Sequence, residues 1–178
     1  MNKVKFAIAV VISKLTNKGN TYIVDKLRQS GISIGEGTHV FSNIITSEPY
    51  LIEIGKYCTI STNVAFITHD ASVGAFLGRD NYSDLCGKII IGDHCFVGNN
   101  SILLYGVSLP DRTLVASGSV VTKSFSEPGC ILGGNPARII GSVDSFLEKN
   151  KQNLLSLHGK SYSEREQIIL NSNKLVSR

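Results

Sequence analysis

The 178-residue sequence has no cysteines paired at CxxC-type spacing, no apolar run long enough to cross a bilayer, and no basic stripe interleaved with aromatics. Each absence closes off a class of function. Cys58, Cys86, Cys95 and Cys130 stand apart among apolar or glycine neighbours, where a structural zinc site would need closely spaced ligands. They read as reduced, partly buried thiols of a cytoplasmic protein, not as a metal or disulfide framework. The opening "MNKVKFAIAVVISKL" carries an apolar run only from Phe6 to Ile12, too short for a span. It also lacks the small-x-small cleavage pattern of a secretory signal, so a helix packed on its own domain is expected, with an amphipathic helix touching a membrane or a neighbouring subunit as the alternative. The formal charge is only +4, with lysine and arginine gathered near the two ends. That balance gives no support to nucleic-acid binding and leaves a few cations to serve an anionic cofactor.

What the chain does have is a period of six. Ile34 and Val40, with Thr46 in a weaker third place, form one run; Ile54, Ile60 and Phe66 form a second; Ile91, Val97, Leu103, Leu109, Val115 and Val121 form the longest. Neither a helix nor a flat strand repeats at six. Gly35, Gly55, Gly92, Gly98 and Ala116 follow anchors directly, and small residues stand four places after them: Thr38, Cys58, Val64, Cys95, Ser101, Val107, Thr113 and Ser119. This describes a solenoid of three straight segments per coil, with the anchor and the small residue pointing inward and the glycine accommodating the corner bend. Stacked coils bury what one coil cannot.

Two stretches break the period. At "SEPYLIE" the phase slips by two, predicting a bulge, and from 70 to 88 an aperiodic stretch predicts an external loop. Residues 1–30 read as a helical segment broken at Asn17–Asn20, 31–141 as the solenoid domain, and 142–178 as a helical tail with helices over 143–157 and 162–175, the second capped by Ser161 or Ser163. Phe146, Leu147, Leu154, Leu155 and Leu157 are expected to pack on the coils or on a neighbour. Ile131 and Leu132 read as one last strand.

The hexads, the external loop and the closing "VASGSVVTKSFSEPGCILGGNPARIIG" resemble the hexapeptide-repeat acyltransferases over roughly residues 28–141. Within that superfamily the chain looks most like the O-acetyltransferases of surface-polysaccharide sugars. The resemblance implies an all-β, left-handed parallel β-helix, although crossovers are ordinarily right-handed. It also implies a homotrimer with active sites between subunits, acetyl-CoA as acyl donor, a saccharide acceptor, and no metal.

His69, three places beyond Phe66 in "FITHD", stands where coil meets loop, and a partly exposed imidazole there suits a general base. It looks like the family's catalytic histidine, which deprotonates the acceptor hydroxyl as oxygen attacks the thioester, with no acyl-enzyme. His39 and His94 compete from within unbroken hexads, where a solvated or stacking role is the plainer reading; His94 remains a substrate-contact candidate, and His158 reads as surface. An orienting partner is sought among Asp70, Asp93, Asn99 and Asn100, with Asp93 equally readable as a corner residue. Oxyanion stabilisation is implied from backbone N–H groups around Asn99–Ser101 or Tyr105–Gly106. "LYG" replaces the family's commoner "LPG", so Tyr105 shapes a pocket or is plain surface. For the cofactor, the resemblance points to Ala116 and Ser117 beside the pantetheine, Lys123 and Arg138 at the phosphates, and Asn135 and Pro136 near the adenine. Phe76, Arg79, Asp80 and Tyr82 make residues 70–88 a natural lid for a sugar, and equally a trimer contact. The alternatives kept open are serine O-acetylation, N-acylation of an amino sugar, and a non-catalytic β-helix scaffold.

Overall fold

The structure, a computed structural model, describes residues 3–15, 19–78 and 83–176. It divides into two compact units, Met1–Val143 and Asp144–Arg178. Chain order in the first unit runs α1 (Lys3–Leu15), α2 (Gly19–Gln29), β1 (Ser33–Ile34), β2 (His39–Val40), β3 (Ile52–Ile54), β4 (Thr59–Ile60), β5 (Ala65–Ile67) and β6 (His69–Asp70). It continues with α3 (Val73–Leu77), β7 (Leu85–Cys86), β8 (Ile89–Ile91), β9 (Phe96–Val97), β10 (Ile102–Leu104), β11 (Ser108–Leu109), β12 (Leu114–Val115), β13 (Val120–Val121), β14 (Cys130–Gly133) and β15 (Arg138–Ser142).

The short strands sort into three sheets, ordered β1-β3-β8-β11, β13-β10-β5 and β15-β14-β12-β9-β4-β2. Every pairing in them is parallel except β14 with β15. Consecutive strands fall in different sheets because each six-residue segment turns a corner, so neighbours in a sheet come from successive coils. Ile91 pairs with Leu109 and Leu103 with Val121, eighteen positions apart. Ile34 instead pairs with Ile54, twenty apart, which locates the two-residue slip. Ile60 and Val97 are thirty-seven apart because the excursion lies between them.

All eleven strong anchors are buried, nine of them to 3% exposure or less. The small positions are buried as well, and their polar atoms are satisfied, Thr113 and Ser119 by a carbonyl of their own corner and others against the next coil. Thr38 Oγ1 donates to the Gly55 carbonyl at 2.7 Å, and the thiols of Cys58 and Cys95 reach the carbonyls of Gly92 and Pro110 at 3.1 and 3.2 Å. Thr46 departs from its expected place. Residues 41–48 form no strand, Ile44 fills the interior at 2% exposure, and Thr46 is left half-buried.

The glycines after the anchors serve close approach, not the bend. The left-handed residue at each corner is the third after the anchor, as at Tyr57 (φ 54°), His94 (φ 57°) and Gly118 (φ 74°). A Cβ at Gly55 would lie 2.6 Å from the Gly92 backbone and closer still to Asp93 Oδ1.

Helix α2 closes one end of the column. It buries Ile23, Val24 and Leu27, and Asn20 pairs both its side-chain groups with the N–H and C=O of Val40 at 2.7 Å. Arg28 donates to the carbonyls of Ile34 and Gly35 at 3.0 Å, so the first strands present no open edge. At the other end β15 folds back antiparallel on β14, where the sequence suggested only one last strand. With helices at both termini the chain is mixed α and β, not all-β.

In the second unit α4 (Val143–Asn150) and α5 (Tyr162–Leu170) are shorter than expected. A capping box, Ser161 with Glu164, starts α5. Phe146, Leu147 and Leu154 are about half exposed.

The two glycine roles predict different costs. Gly118→Ala meets open space and pays only for its left-handed backbone, about 1 kcal/mol. Gly55→Ala forces two coils apart and costs about 3 kcal/mol or more. Urea-unfolding midpoints should rank Gly55→Ala well below Gly118→Ala; the reverse order rules out close approach as the reason for Gly55.

Candidate functional site

His69 occupies the position three after Phe66, where other coils make their left-handed corner. Here the chain runs out extended instead, and β6 pairs antiparallel with β7, setting His69 opposite Cys86 and Asp70 opposite Leu85. Gly87 N–H donates to the Thr68 carbonyl at 3.1 Å and closes the base of the excursion. The excursion thus begins at His69, one residue before the expected loop, and carries α3 with Phe76 exposed. Arg79, Asp80 and Tyr82, the expected lid residues, lie outside the described residues.

The partner of His69 is Glu48. His69 Nδ1 lies 2.8 Å from Glu48 Oε2, the same oxygen that accepts from Thr68 Oγ1 at 2.8 Å and Thr46 Oγ1 at 3.3 Å. The two threonine hydroxyls also lie in a short contact, so that Thr46 shares its one proton between Thr68 Oγ1 and the more distant Glu48 Oε2. Glu48 gets there because the two-residue slip, followed by the single helical turn Pro49–Leu51, lifts it out of the coil beneath Thr68. A carboxylate can only accept, so Nδ1 carries a proton and the neutral imidazole keeps its lone pair on Nε2. The hydrogen bond that Nδ1 donates to Glu48, and then the Glu48 charge, hold His69 above the ordinary imidazole pKa, and the Thr68 hydroxyl followed by His69 holds Glu48 below the usual carboxylate range. The His69 side chain is 37% exposed and that of Glu48 19%, so the pair is reachable but shielded on the carboxylate side.

Asp70 does not orient the imidazole. Its Oδ1 accepts from Ser72 N–H at 2.8 Å and its Oδ2 from Tyr105 Oη at 3.3 Å, and the Ser72 bonds are the main reason its pKa is lowered. Tyr105 therefore ties the excursion to the adjacent corner, and burial, then the Asp70 charge, raises its pKa. Because Leu104 pairs with Ile67, the Tyr105–Gly106 corner lies directly across from Thr68 and His69.

The other polar candidates are committed to corners. Asp93 accepts from Lys56 N–H at 2.7 Å while its own N–H donates to Asp111 at 2.8 Å, the corner role weighed for it above. Asn99 accepts from Thr62 N–H at 3.0 Å, and Asn100 makes a left-handed turn. His94 stacks on Tyr57 at 5.1 Å and His39 on Phe41 at 6.4 Å. Among the described residues no group of three His, Cys, Asp or Glu side chains converges to hold a metal.

Of the residues expected at the cofactor, Ala116 has its backbone engaged: its N–H donates to the Leu132 carbonyl at 2.8 Å and its carbonyl accepts from Ser119 and Ser101. Ser117 packs against the Gly98 backbone, where a Cβ would come within 2.5 Å of its nitrogen. Lys123 lies over the Phe125 ring at 5.6 Å. The Asn135–Pro136 bond is cis in an exposed turn stitched to β13 by Val120 N–H to Gly134 O at 2.9 Å and Ala137 N–H to Val120 O at 2.8 Å. Arg138 opens β15, exposed.

A cleft of about 310 Å³ runs along the free edge of β5, lined by Asn43, Ile45, Asn63 and residues 64–67. Its floor holds Asn43 Oδ1, a buried side-chain oxygen with no hydrogen-bond partner. An orphaned acceptor in a cleft whose lining ends at Ile67, two residues short of His69, marks a place for a donor from outside the chain. Neither Asn43 nor Glu48 stood out in the sequence; the slip at "SEPYLIE" was the available signal, since a bulge redirects side chains out of the coil.

Comparison with known proteins agrees with this architecture. A family model described as the hexapeptide repeat of succinyl-transferase matches residues 88–123. The chain is 37% identical over 153 residues to Protein CapG of Staphylococcus aureus, covering 84% of this chain and 88% of that protein. Against the galactoside O-acetyltransferase of Escherichia coli identity is 28%, over 65% of this chain and 56% of the relative. A hexapeptide-repeat acetyltransferase of Vibrio cholerae, solved with acetyl coenzyme A, superposes with TM-score 0.56 at 30% identity, over 64% of this chain and 61% of the other. The chain thus spans nearly all of one relative and somewhat over half of the other two. It belongs to the hexapeptide-repeat acyltransferase superfamily.

Directly opposed residues of an antiparallel pair project to the same side, about 5 Å apart at Cβ, so Cys86 is exposed beside the His69 imidazole, contrary to the buried thiol expected. Cys58, Cys95 and Cys130 are buried. Titration of the native protein with a thiol reagent should label one cysteine rapidly, with the rest reacting only in denaturant, and Cys86→Ser should abolish the fast phase. A fast phase surviving that substitution rules out this placement.

Proposed function

We propose that this acyltransferase moves an acetyl group from acetyl-CoA directly to a sugar hydroxyl, with His69 as general base. The observation that carries the reading is the Glu48–His69 bond at the departure of the excursion. Nδ1 is held by the carboxylate, and Nε2 is left to take the hydroxyl proton as the oxygen attacks the thioester carbonyl. The tetrahedral carbon then collapses, the carbon–sulfur bond breaks, and the imidazolium returns the proton to the departing thiolate. The balance is complete without an acyl-enzyme. Backbone N–H groups of the Tyr105–Gly106 corner, which the register sets across from Thr68 and His69, suit the oxyanion. Asn43 and Asn63 in the β5 cleft suit the sugar, since amide side chains donate to and accept from hydroxyls.

For the donor, Ser117 is the better candidate of the Ala116–Ser117 pair, because the Ala116 backbone is already used. Lys123 and Arg138 would meet the phosphates, and the Asn135–Pro136 turn the adenine. We read the coil as left-handed, the assembly as a homotrimer with sites between subunits, and the pathway as surface-polysaccharide synthesis in the cytoplasm. Similarity to a galactoside O-acetyltransferase supports a sugar hydroxyl as acceptor over serine acylation or a scaffold.

The test is acetyl-CoA thiol release with a panel of saccharide acceptors. His69→Ala should lower kcat/KM by roughly 10²–10⁴-fold; unchanged turnover would sink the assignment. The base works neutral and its pKa is raised, so activity should fall as pH drops through a value above the usual imidazole figure of about 6.5. Glu48→Gln removes the carboxylate charge while leaving an acceptor for Nδ1–H, and should move that acidic limb to lower pH, with a plateau loss smaller than for His69→Ala. A limb that stays in place would show that Glu48 does not control the base.

A further inference from the structure

Helix α1 is apolar on two faces, and its own unit uses one of them. Ala9 is 3% exposed, and Phe6 and Val10 pack against the core. Ala7, Ile8 and Val11, one turn apart on another face, are exposed, Ile8 at 52% and Val11 at 55%. The Phe6–Ile12 stretch of α1 is apolar all round, and among the described residues nothing covers its outer face. The surrounding sequence states the partner's charge. Lys3, Lys5, Lys14 and Lys18 precede the first acidic residue, Asp25, and Asp25 is already paired with Arg28 at 3.2 Å.

We infer that α1 is an interfacial anchor whose exposed Ala7–Ile8–Val11 face enters an anionic lipid surface while the flanking lysines neutralise its headgroups. At 13 residues the helix is about 20 Å long, and no described helix is long and apolar enough to cross a membrane, so α1 would lie in the interface and not span it. Charge favours lipid over a second copy of the chain. A symmetric contact would bring two copies of a segment with four lysines and no acidic residue before Asp25 together, whereas an anionic surface attracts each lysine. The inference stands apart from the acetyl-transfer reading, because it concerns a helix that supplies no group to the site.

Full-length protein sedimented with vesicles is the test. Binding should be strong to phosphatidylcholine containing about one-third phosphatidylglycerol, weak to phosphatidylcholine alone, and reversed by salt. Ile8→Ser with Val11→Ser should lower the partition coefficient about tenfold or more, from the apolar area withdrawn. Lys3→Glu with Lys5→Glu should lower it roughly fivefold per lysine or more. Both pairs should leave the thermal midpoint by circular dichroism near wild type, which keeps loss of folding from imitating loss of binding. No preference for anionic vesicles, or wild-type binding by both pairs, overturns the inference. So does a fall in solution mass of the Ile8/Val11 variant by light scattering, which would assign this face to a second copy.

Discussion

Coil rests on coil at the distance set by a parallel ladder, about 4.8 Å, and nearly every other feature answers to that spacing. It leaves room for one large aliphatic per segment, which is why Ile91, Val97 and Leu103 recur at six and sit almost wholly buried. It forbids a Cβ where Gly55 faces Gly92. It also brings Thr38, Cys58 and Cys95 at the small positions within bonding distance of a carbonyl on the next coil, so that polar atoms enter the core without being stranded. A stack has two ends, however, and each is an open ladder unless covered; the side chains of Asn20 and Arg28 cover one and the reversed strand β15 the other.

The candidate site arises where this regularity fails twice in adjacent coils. Without the excursion, the position of His69 would be a left-handed corner like Gly106 across from it, its side chain in solvent with no carboxylate near. Without the two-residue slip, no residue would leave the lower coil to meet it. Each irregularity alone gives an exposed polar residue. Together they place Glu48 under Thr68 and His69, with both threonines fixing the carboxylate. The regular part is therefore scaffold, and the chemistry is held by the departures from it.

That division explains what the sequence made legible. The anchors and small positions could be read because one spacing imposes them on every coil, and the capping box at Ser161 because it is local. Glu48 could not be read from proximity to His69, since their meeting depends on counting through a slip whose three-dimensional course the sequence leaves open. Asp70 was the tempting neighbour, but adjacent strand residues point to opposite faces, and its carboxylate went to Ser72 and Tyr105. The glycines were found for the wrong reason: composition marks a glycine but does not distinguish a bend from a close approach. Strand β15 was missed because "RIIG" specifies an extended segment without specifying its direction.

The Glu48 contact also bears on why one histidine could suffice in the proposed reaction. A base strong enough to assist attack by a sugar hydroxyl must still surrender its proton to the leaving group. An ordinary thiol has a pKa of about 8.5, and an imidazole of about 6.5, so a departing thiolate outcompetes the imidazole for the proton with room to spare. Raising His69 through Glu48 uses part of that margin to strengthen proton abstraction in the first half of the reaction, while the order of basicities is kept for the second. A carboxylate bonded more strongly, or left bare of its two threonine donors, would push the imidazole toward the thiol and leave more of it protonated at neutral pH. Thr46 and Thr68, by drawing Glu48 down, limit how far His69 rises.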